Sequence, residues 1–267
     1  MSYSAGVDVK EEPPRRPESR SETARALILC AAERLFAERG IEHVSLREIG
    51  AAAGQRNNSA VQYHFGTREE LVRALYEDRL APLDRRRREL LEGLEGLEGF
   101  ERPERPERPE RPGGDPGDQG KAGEPGALGS SDGSDASDRA LRALVHVYLA
   151  PLAEAVRDAG EPTWYARFVQ RFAIGGYVVD PPLDASLVAG MRTGLDLIDA
   201  QLTRRRLPPP VRAERMRLMT LLITAALADA ERRLAEGEPL PLPFDVLTDN
   251  LTTSAVGLLT APHSGAT

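Results

Sequence analysis

Three times in its first seventy residues the chain repeats one pattern: Ser19-Arg-Ser-Glu22, Ser45-Leu-Arg-Glu48 and Thr67-Arg-Glu-Glu70. A hydroxyl residue followed three positions later by glutamate can satisfy two free backbone N–H groups at a helix start, one by each side chain. Each copy therefore predicts where a helix begins, and the spacing leaves room only for short helices between them. After the first box, Leu27, Ile28, Ala31, Leu35 and Phe36 recur at helical intervals. Gly40 then predicts a left-handed helix end. Val44 before the second box and Ile49 within its helix fit a hydrophobic staple. Ala51, Ala52 and Ala53 are small enough to let another helix cross closely, and Gly54 permits a sharp turn. The third box opens a long helix striped by Leu71, Val72, Leu75, Tyr76 and Leu80.

Between the second and third boxes lies AGQRNNSAVQYHF, residues 53–65, polar on one side and anchored by Val61 and Phe65 on the other. A short helix, a glycine turn and a polar second helix make the helix-turn-helix pattern, whose second helix presents side chains to the major groove of DNA. Arg56 has the chemistry to read guanine, and Asn57, Asn58 and Gln62 that to read adenine, with Ser59 beside them. Ser45 and Arg47 at one helix start, and Thr67 and Arg68 at another, stand where backbone N–H groups help to hold phosphate. A solvated surface helix capped by asparagines would share these residues. The fixed order of three capped helices favours the DNA-reading version.

The net charge of −7 argues against such a partner only until it is located. Residues 92–138 hold thirteen acidic and five basic side chains, so the remainder carries +1. That stretch runs through LEGLEGLEG, ERPERPERPERP and a Gly/Ser/Asp tract; proline at every third position blocks helix bonding, and the tract has little to bury. It is expected to be a disordered insertion over 93–137, in a surface loop rather than a docking tail. The expected division is an arm over 1–18, a DNA-binding unit over 19–66, a connecting helix over 67–92 and a helical unit over 138–260. A single cysteine, Cys30, excludes an internal disulfide framework and is expected to be packed rather than reactive. The N-terminus lacks an apolar segment of the secretory kind, and the longest apolar run, Leu218–Ala228, is too short to span a bilayer. A cytoplasmic protein with no membrane partner is expected. His43, His64, His146 and His263 have no metal-ligand spacing, and no phosphate loop, nucleophile elbow or paired-cysteine motif occurs. No enzyme, metal or cofactor is therefore expected.

The run from Ala24 through LFAERGIEHVSLREIGAAAG to YHFGTREELVRAL resembles the DNA-binding domain of the tetracycline-repressor (TetR) family of bacterial regulators. The matching residues are Leu35-Phe36 with Gly40, Ser45 with Ile49, Ala53-Gly54, Tyr63-His64-Phe65, and Arg68-Glu69 with Leu71. By this resemblance Ser45, Arg47, Tyr63, His64 and Arg68 fall where the family contacts DNA, largely at its backbone. The chain departs from the family at the entry to the recognition helix, where Arg-Asn-Asn-Ser-Ala replaces a small Ser-x-Gly-Thr, and at Gln62, where an aromatic is common.

Beyond the insertion no strand pattern appears. Helices are expected at about 138–159, 163–177, 184–206, 210–236 and 244–260, separated by proline-rich breaks. With four upstream this makes nine, an all-α fold, as the resemblance also implies. The segment LMTLLITAALA is apolar nearly all round and must be covered on several sides. A central core helix would satisfy that; the resemblance implies instead a homodimer interface of the last two helices, with Leu218, Leu221, Leu222, Ala225, Val256 and Leu259 in it. Tyr148, Trp164, Tyr165, Phe168, Phe172 and Tyr177 cluster in sequence, with Trp164, Phe168 and Phe172 at i, i+4, i+8, and all but Tyr165 are taken as pocket candidates. Such stripes are mostly core. The resemblance implies a pocket for an unidentified small-molecule inducer there, with Gln170 or Arg167 as polar groups. Pro82 within the connecting helix is expected to bend it and to help pass a ligand signal to the DNA-reading unit. The reading is a ligand-released repressor bound as a homodimer to a palindromic operator. A ligand-independent DNA-binding protein and a helix-turn-helix fused to an unrecognised enzyme remain the alternatives.

Overall fold

The computed structural model describes residues 20–55, 57, 59–95, 131–159, 163–175 and 185–263. Among them the chain is all-α: α1 (Arg20–Arg39), α2 (Leu46–Ala52), α3 (Ala60–Phe65), α4 (Arg68–Glu92), α5 (Ser131–Arg157), α6 (Tyr165–Gly175), α7 (Ala189–Arg204), α8 (Pro209–Glu236) and α9 (Phe244–Thr260). Two short 3-10 turns, Ile41–His43 and Ala185–Val188, precede α2 and α7. Helix α5 begins seven residues earlier than expected. Its first turns are tied down after Asp135: the Ser137 hydroxyl donates to Gln201 Oε1 at 3.3 Å, and Asp138 pairs with Arg205, both partners lying on or just beyond α7.

The second and third boxes close as their spacing predicts. Ser45 Oγ accepts from Glu48 N at 3.2 Å while Ser45 N donates to Glu48 Oε2 at 2.9 Å. Thr67 Oγ1 accepts from Glu70 N at 3.2 Å while Thr67 N donates to Glu70 Oε2 at 2.7 Å. Ser19 lies outside the described residues. The core face of α1 is shifted from the expected one. Ile28, Leu29, Ala31, Ala32, Phe36 and Ala37 are buried, whereas Leu27 and Cys30 are exposed. Cys30 is thus not packed, because the α1 stripe turns inward one residue to each side of it. Gly40 ends α1 at φ +88°, but its ψ of 150° is extended rather than left-handed, which directs the chain into the following 3-10 turn. Ala51 and Ala52 are exposed; the close helix crossing is made by Gly50, where a Cβ would come within 3.3 Å of Val61 Cγ2.

Helix α4 buries Leu71, Val72, Leu75, Tyr76, Leu80, Leu83, Arg87 and Leu91 along one stripe, and it stays helical through exposed Pro82. It packs on α1 and α3 near its start and on α5 and α7 further along. Helix α6 lies between α1 and α8. Its Phe168 ring, wholly buried, stacks 6.4 Å from Phe36 of α1 and 5.4 Å from Tyr76 of α4. The start of α6 is held by Glu231 of α8, itself buried. Its carboxylate accepts from the Thr163 hydroxyl at 2.7 Å, from Ala166 N and Arg167 N at 3.0 Å, and from Arg167 Nε at 3.2 Å. Truncating this residue leaves two backbone N–H groups and a guanidinium without their acceptor, a loss of about 3–5 kcal/mol for a buried pair. Glu231→Ala is therefore expected to lower the urea midpoint by more than Glu231→Gln does, since the amide keeps one acceptor oxygen. Equal midpoints for both variants and the parent chain would contradict this.

Candidate functional site

Helices α1 to α4 carry the cluster that the sequence singles out. Val61 and Phe65 of α3 are buried, and Arg25 of α1 lies 5.1 Å over the Phe65 ring. With the inner face so anchored, the six-residue helix must turn its other side outward. Gln62 is exposed, Tyr63 is 84% exposed, and the His64 ring meets Tyr63 edge-on at 5.2 Å. Gly66 follows at φ +75°, and a Cβ there would stand 2.1 Å from Glu70 Oε2. Only glycine lets the α4 capping carboxylate fold back over this turn.

The expected contact residues divide into three groups. Arg47, Gln62, Tyr63 and Thr67 are exposed on this one end of the fold, with His64 and Arg68 half-buried beside them. Asn57 and Ser59 are turned toward each other: Asn57 Oδ1 accepts from Ser59 N at 3.0 Å and from Ser59 Oγ at 2.7 Å, while Asn57 O accepts from Ala60 N at 3.0 Å. They build the entry to α3 rather than extend from it. Arg56 and Asn58 lie outside the described residues. Ser45 is committed as well, because its hydroxyl donates to Glu48 Oε2 at 2.8 Å. Arg68 reaches back to the 3-10 turn, 3.5 Å from Glu42 O and 3.9 Å from the Glu42 carboxylate. Arg39 completes the frame by pairing with Glu48 at 2.9 Å.

A second feature lies among α4, α5, α6, α7 and α8. It is a cavity of about 360 Å3, mostly apolar, with Tyr76, Leu80, Leu83 and Arg87 supplied by α4. Of the five aromatics expected there, Tyr148 lines it, and its hydroxyl lies 3.2 Å from Thr220 Oγ1. Phe168 sits behind the wall in the core with Phe36 and Tyr76. Trp164 is half-buried at the junction of α1 and α6, with the guanidinium carbons of Arg34 and Arg167 at 6.0 and 5.8 Å from its ring. Arg167 is engaged by Glu231, away from the cavity wall. Tyr177 and the Phe172 side chain lie outside the described residues. Sequence reasoning missed Tyr76, Arg87 and Tyr165 as lining groups. One signal was present: Leu80, Leu83, Arg87 and Leu91 follow helical spacing, which puts an arginine inside an apolar stripe.

Residues 28–75, which hold the whole of α2 and α3 with the ends of their neighbours, match the family described as bacterial regulatory proteins, tetR family. Over these residues the chain is similar to the TetR family. The HTH-type transcriptional regulator TtgR of Pseudomonas putida is 38% identical over 63 residues, 24% of this chain and 30% of that one. The HTH-type transcriptional repressor Rv3405c of Mycobacterium tuberculosis is 48% identical over 61 residues, 23% of this chain and 31% of that one. The chain thus spans about three tenths of the length of these relatives. Among solved structures, a TetR-like transcriptional regulator from Rhodococcus sp. RHA1 is 16% identical, covering 92% of this chain and all of that one, at a TM-score of 0.42. A gamma-butyrolactone receptor (ArpA-like protein) is 21% identical, covering 89% and 98%, at a TM-score of 0.45.

Outside the matched segment, α8 and α9 bear the residues expected at an interface. Leu218 is 37% exposed, and Leu221, Leu222, Ala225 and Val256 are half-buried. Leu259 is instead fully buried within the chain, its carbonyl accepting from Arg215 at 2.7 Å. No helix among the described residues is long and apolar enough to cross a membrane.

The capping carboxylate at α2 has a defined electrostatic consequence. The Ser45 backbone N–H, then its hydroxyl, then Arg39 hold Glu48 down at a pKa of about 2, against an ordinary 4.5. A folded value below the unfolded one means stabilisation that is present above the ordinary value and lost as pH falls through about 2. A carboxyl NMR titration is expected to find Glu48 still ionised at pH 3, with Ser45→Ala moving its midpoint upward. An ordinary midpoint in the parent chain would show the box to be open in solution.

Proposed function

We propose that the chain is a DNA-binding transcriptional regulator that acts as a repressor, holds a palindromic operator as a homodimer, and is released by a small-molecule ligand. The observation that carries the reading is α3: a TetR-family recognition-helix position whose inner face is fixed by Val61 and Phe65 and whose outer face offers Gln62, Tyr63 and His64. Arg47 and Arg68 flank it from the first turns of α2 and α4, where cations and helix N-termini suit phosphate. The repressor named among the relatives supports the sign of regulation. Arg56 and Asn58 remain proposed base readers from the sequence alone, and Asn57 and Ser59 are proposed to act by shaping the helix entry.

Dimerisation is supported by the half-covered strip of Leu218, Leu221, Leu222, Ala225 and Val256, which would be covered by the same strip of a second copy around a two-fold axis. Ligand release is supported by α4. This one helix starts beside α3 at Arg68 and lines the cavity twelve to nineteen residues later with Leu80, Leu83 and Arg87. A ligand that binds better to the cavity shape of the DNA-free state displaces α4 and so the spacing of the two recognition helices. By reciprocity the operator weakens that ligand by the same factor. Trp164 lies at the α1–α6 junction, so its emission follows the docking of the DNA-reading helices rather than the ligand itself.

Two measurements test this. In fluorescence anisotropy on operator and random duplexes, Arg68→Ala is expected to weaken both alike and to reduce the salt slope by about 0.9, one phosphate contact. Gln62→Ala is expected to relax preference at particular base pairs by about 1–3 kcal/mol. Identical behaviour of the two variants on both duplexes would refute the interface. In light scattering, Leu222→Glu is expected to give a folded monomer, since Leu222 is only half-buried in the single chain, whereas a stable dimer would move the interface elsewhere.

A further inference from the structure

We infer that the cavity takes a small organic anion, a carboxylate on an apolar body, with its charged head on Arg87 and Tyr165; this rests on the ligand-binding reading above. The body of the site is hydrocarbon, with Leu80, Leu83, Leu152, Val169, Met191 and Ile223 in its wall. Its volume of about 360 Å3 falls within the range of small-molecule pockets, roughly 300–1,000 Å3. Set into this apolar wall is a guanidinium that is 6% exposed and has no carboxylate bonded to it. Arg87 donates through one NH2 group to Tyr148 O at 3.4 Å, and its carbon lies 5.6 Å over the Tyr148 ring. Its Nε and other terminal nitrogen have no partner among the described residues, and neither does the buried Tyr165 hydroxyl.

Of the surrounding acids, Asp84 favours the Arg87 charge from nearby without bonding to it, and the others are paired with other arginines. Asp84 gives one oxygen to Met191 N at 2.9 Å and faces Arg88 at 3.4 Å with the other. Glu33 pairs with Arg79, Glu154 with Arg86, and Glu231 with Arg167. Three other hydroxyls of the wall are bonded within the protein: Tyr148 meets Thr220, Thr220 donates to Met216 O, and Thr224 donates to Thr220 O. Among the lining residues, the buried polar atoms without a hydrogen-bond partner are those of Arg87 and the Tyr165 hydroxyl, all able to donate, and the guanidinium carries a positive charge. A buried guanidinium with no carboxylate bonded to it is unfavourable, and an anionic acceptor is the group that offsets it. An alcohol or amide of the same shape would accept a hydrogen bond and leave the charge without a bonded carboxylate.

The test is calorimetric titration of the full-length chain with hexanoate, octanoate, decanoate and phenylpropionate, each beside its primary amide, together with thermal melts. At the best-fitting body the carboxylate is expected to bind at least tenfold more tightly than the amide. Arg87→Met is expected to erase that preference while leaving the ligand-free melting temperature unchanged or higher, since it removes a buried charge with no carboxylate bonded to it. A purely structural Arg87 would instead lower the melting temperature and leave the preference intact. Tyr165→Phe supplies a second variant that loses no protein hydrogen bond, and it is expected to reduce the carboxylate preference several-fold. If amides bind as well as carboxylates to the parent chain, the anion inference fails and the cavity remains a ligand site. If neither series binds, the ligand reading falls with it.

Discussion

A single buried carboxylate, Glu231, sets the position of everything that joins the two ends of this fold. It lies on α8, yet its oxygens are spent on the first turn of α6: a hydroxyl, two backbone N–H groups and the Arg167 guanidinium. Buried backbone donors at a helix start need an acceptor, and a negative charge there also meets the positive end of the helix dipole. Fixing α6 in this way fixes Phe168 against Phe36 and Tyr76, and those three rings are the seam between α1, α4 and α6. Tyr76 belongs at once to that seam and to the cavity wall. The geometry of the cavity and that of the end carrying α1 to α3 are therefore not independent.

What proved legible from residues alone was what depends on near neighbours in the chain. The Ser45 and Thr67 boxes, the Val61 and Phe65 anchors and the α4 stripe are all set within about one or two turns, so spacing suffices to find them. Helix α9 was bounded by Pro243 and by the end of its apolar pattern, and it runs over Phe244–Thr260 as read. Errors arose where a nearby alternative had equal local merit. Leu27 and Cys30 sit one position away from the inward face of α1, and the choice between faces was made by α2, α4 and α6 packing on it. Asn57, exposed and expected to read a base, accepts from Ser59 N and Oγ, a local bond that its spacing did not announce.

The cavity was the least legible part, for a plain reason. DRRRRE reads as a solvated basic run, and for Arg86 and Arg88 that is nearly right, since both are partly exposed, Arg86 pairing with Glu154 and Arg88 with the buried Asp84. Arg87 differs only in the direction imposed by 100° per residue, which carries it into the stripe of Leu80 and Leu83. Tyr165 likewise was passed over for Trp164, although one residue of rotation takes the tyrosine inward and leaves the tryptophan between two arginines. Aromatic spacing located the right neighbourhood and the wrong side of it.

The two closed capping boxes have a consequence for selectivity. At the starts of both α2 and α4, the positions where an outside anion would be welcomed are already served by an inside one: Glu48 holds the Ser45 N–H and hydroxyl, and Glu70 holds the Thr67 N–H. Each helix start thus carries its own resident competitor, and Glu48 keeps its charge far into acid. A lone phosphate gains little by contesting one such place. A rigid row of phosphates, meeting both starts together with Arg47, Arg68 and the α3 face, contests them all in one encounter and loses its entropy only once. On the proposed function, self-screening of this kind would make the surface indifferent to scattered anions and responsive to a polymer of the right pitch.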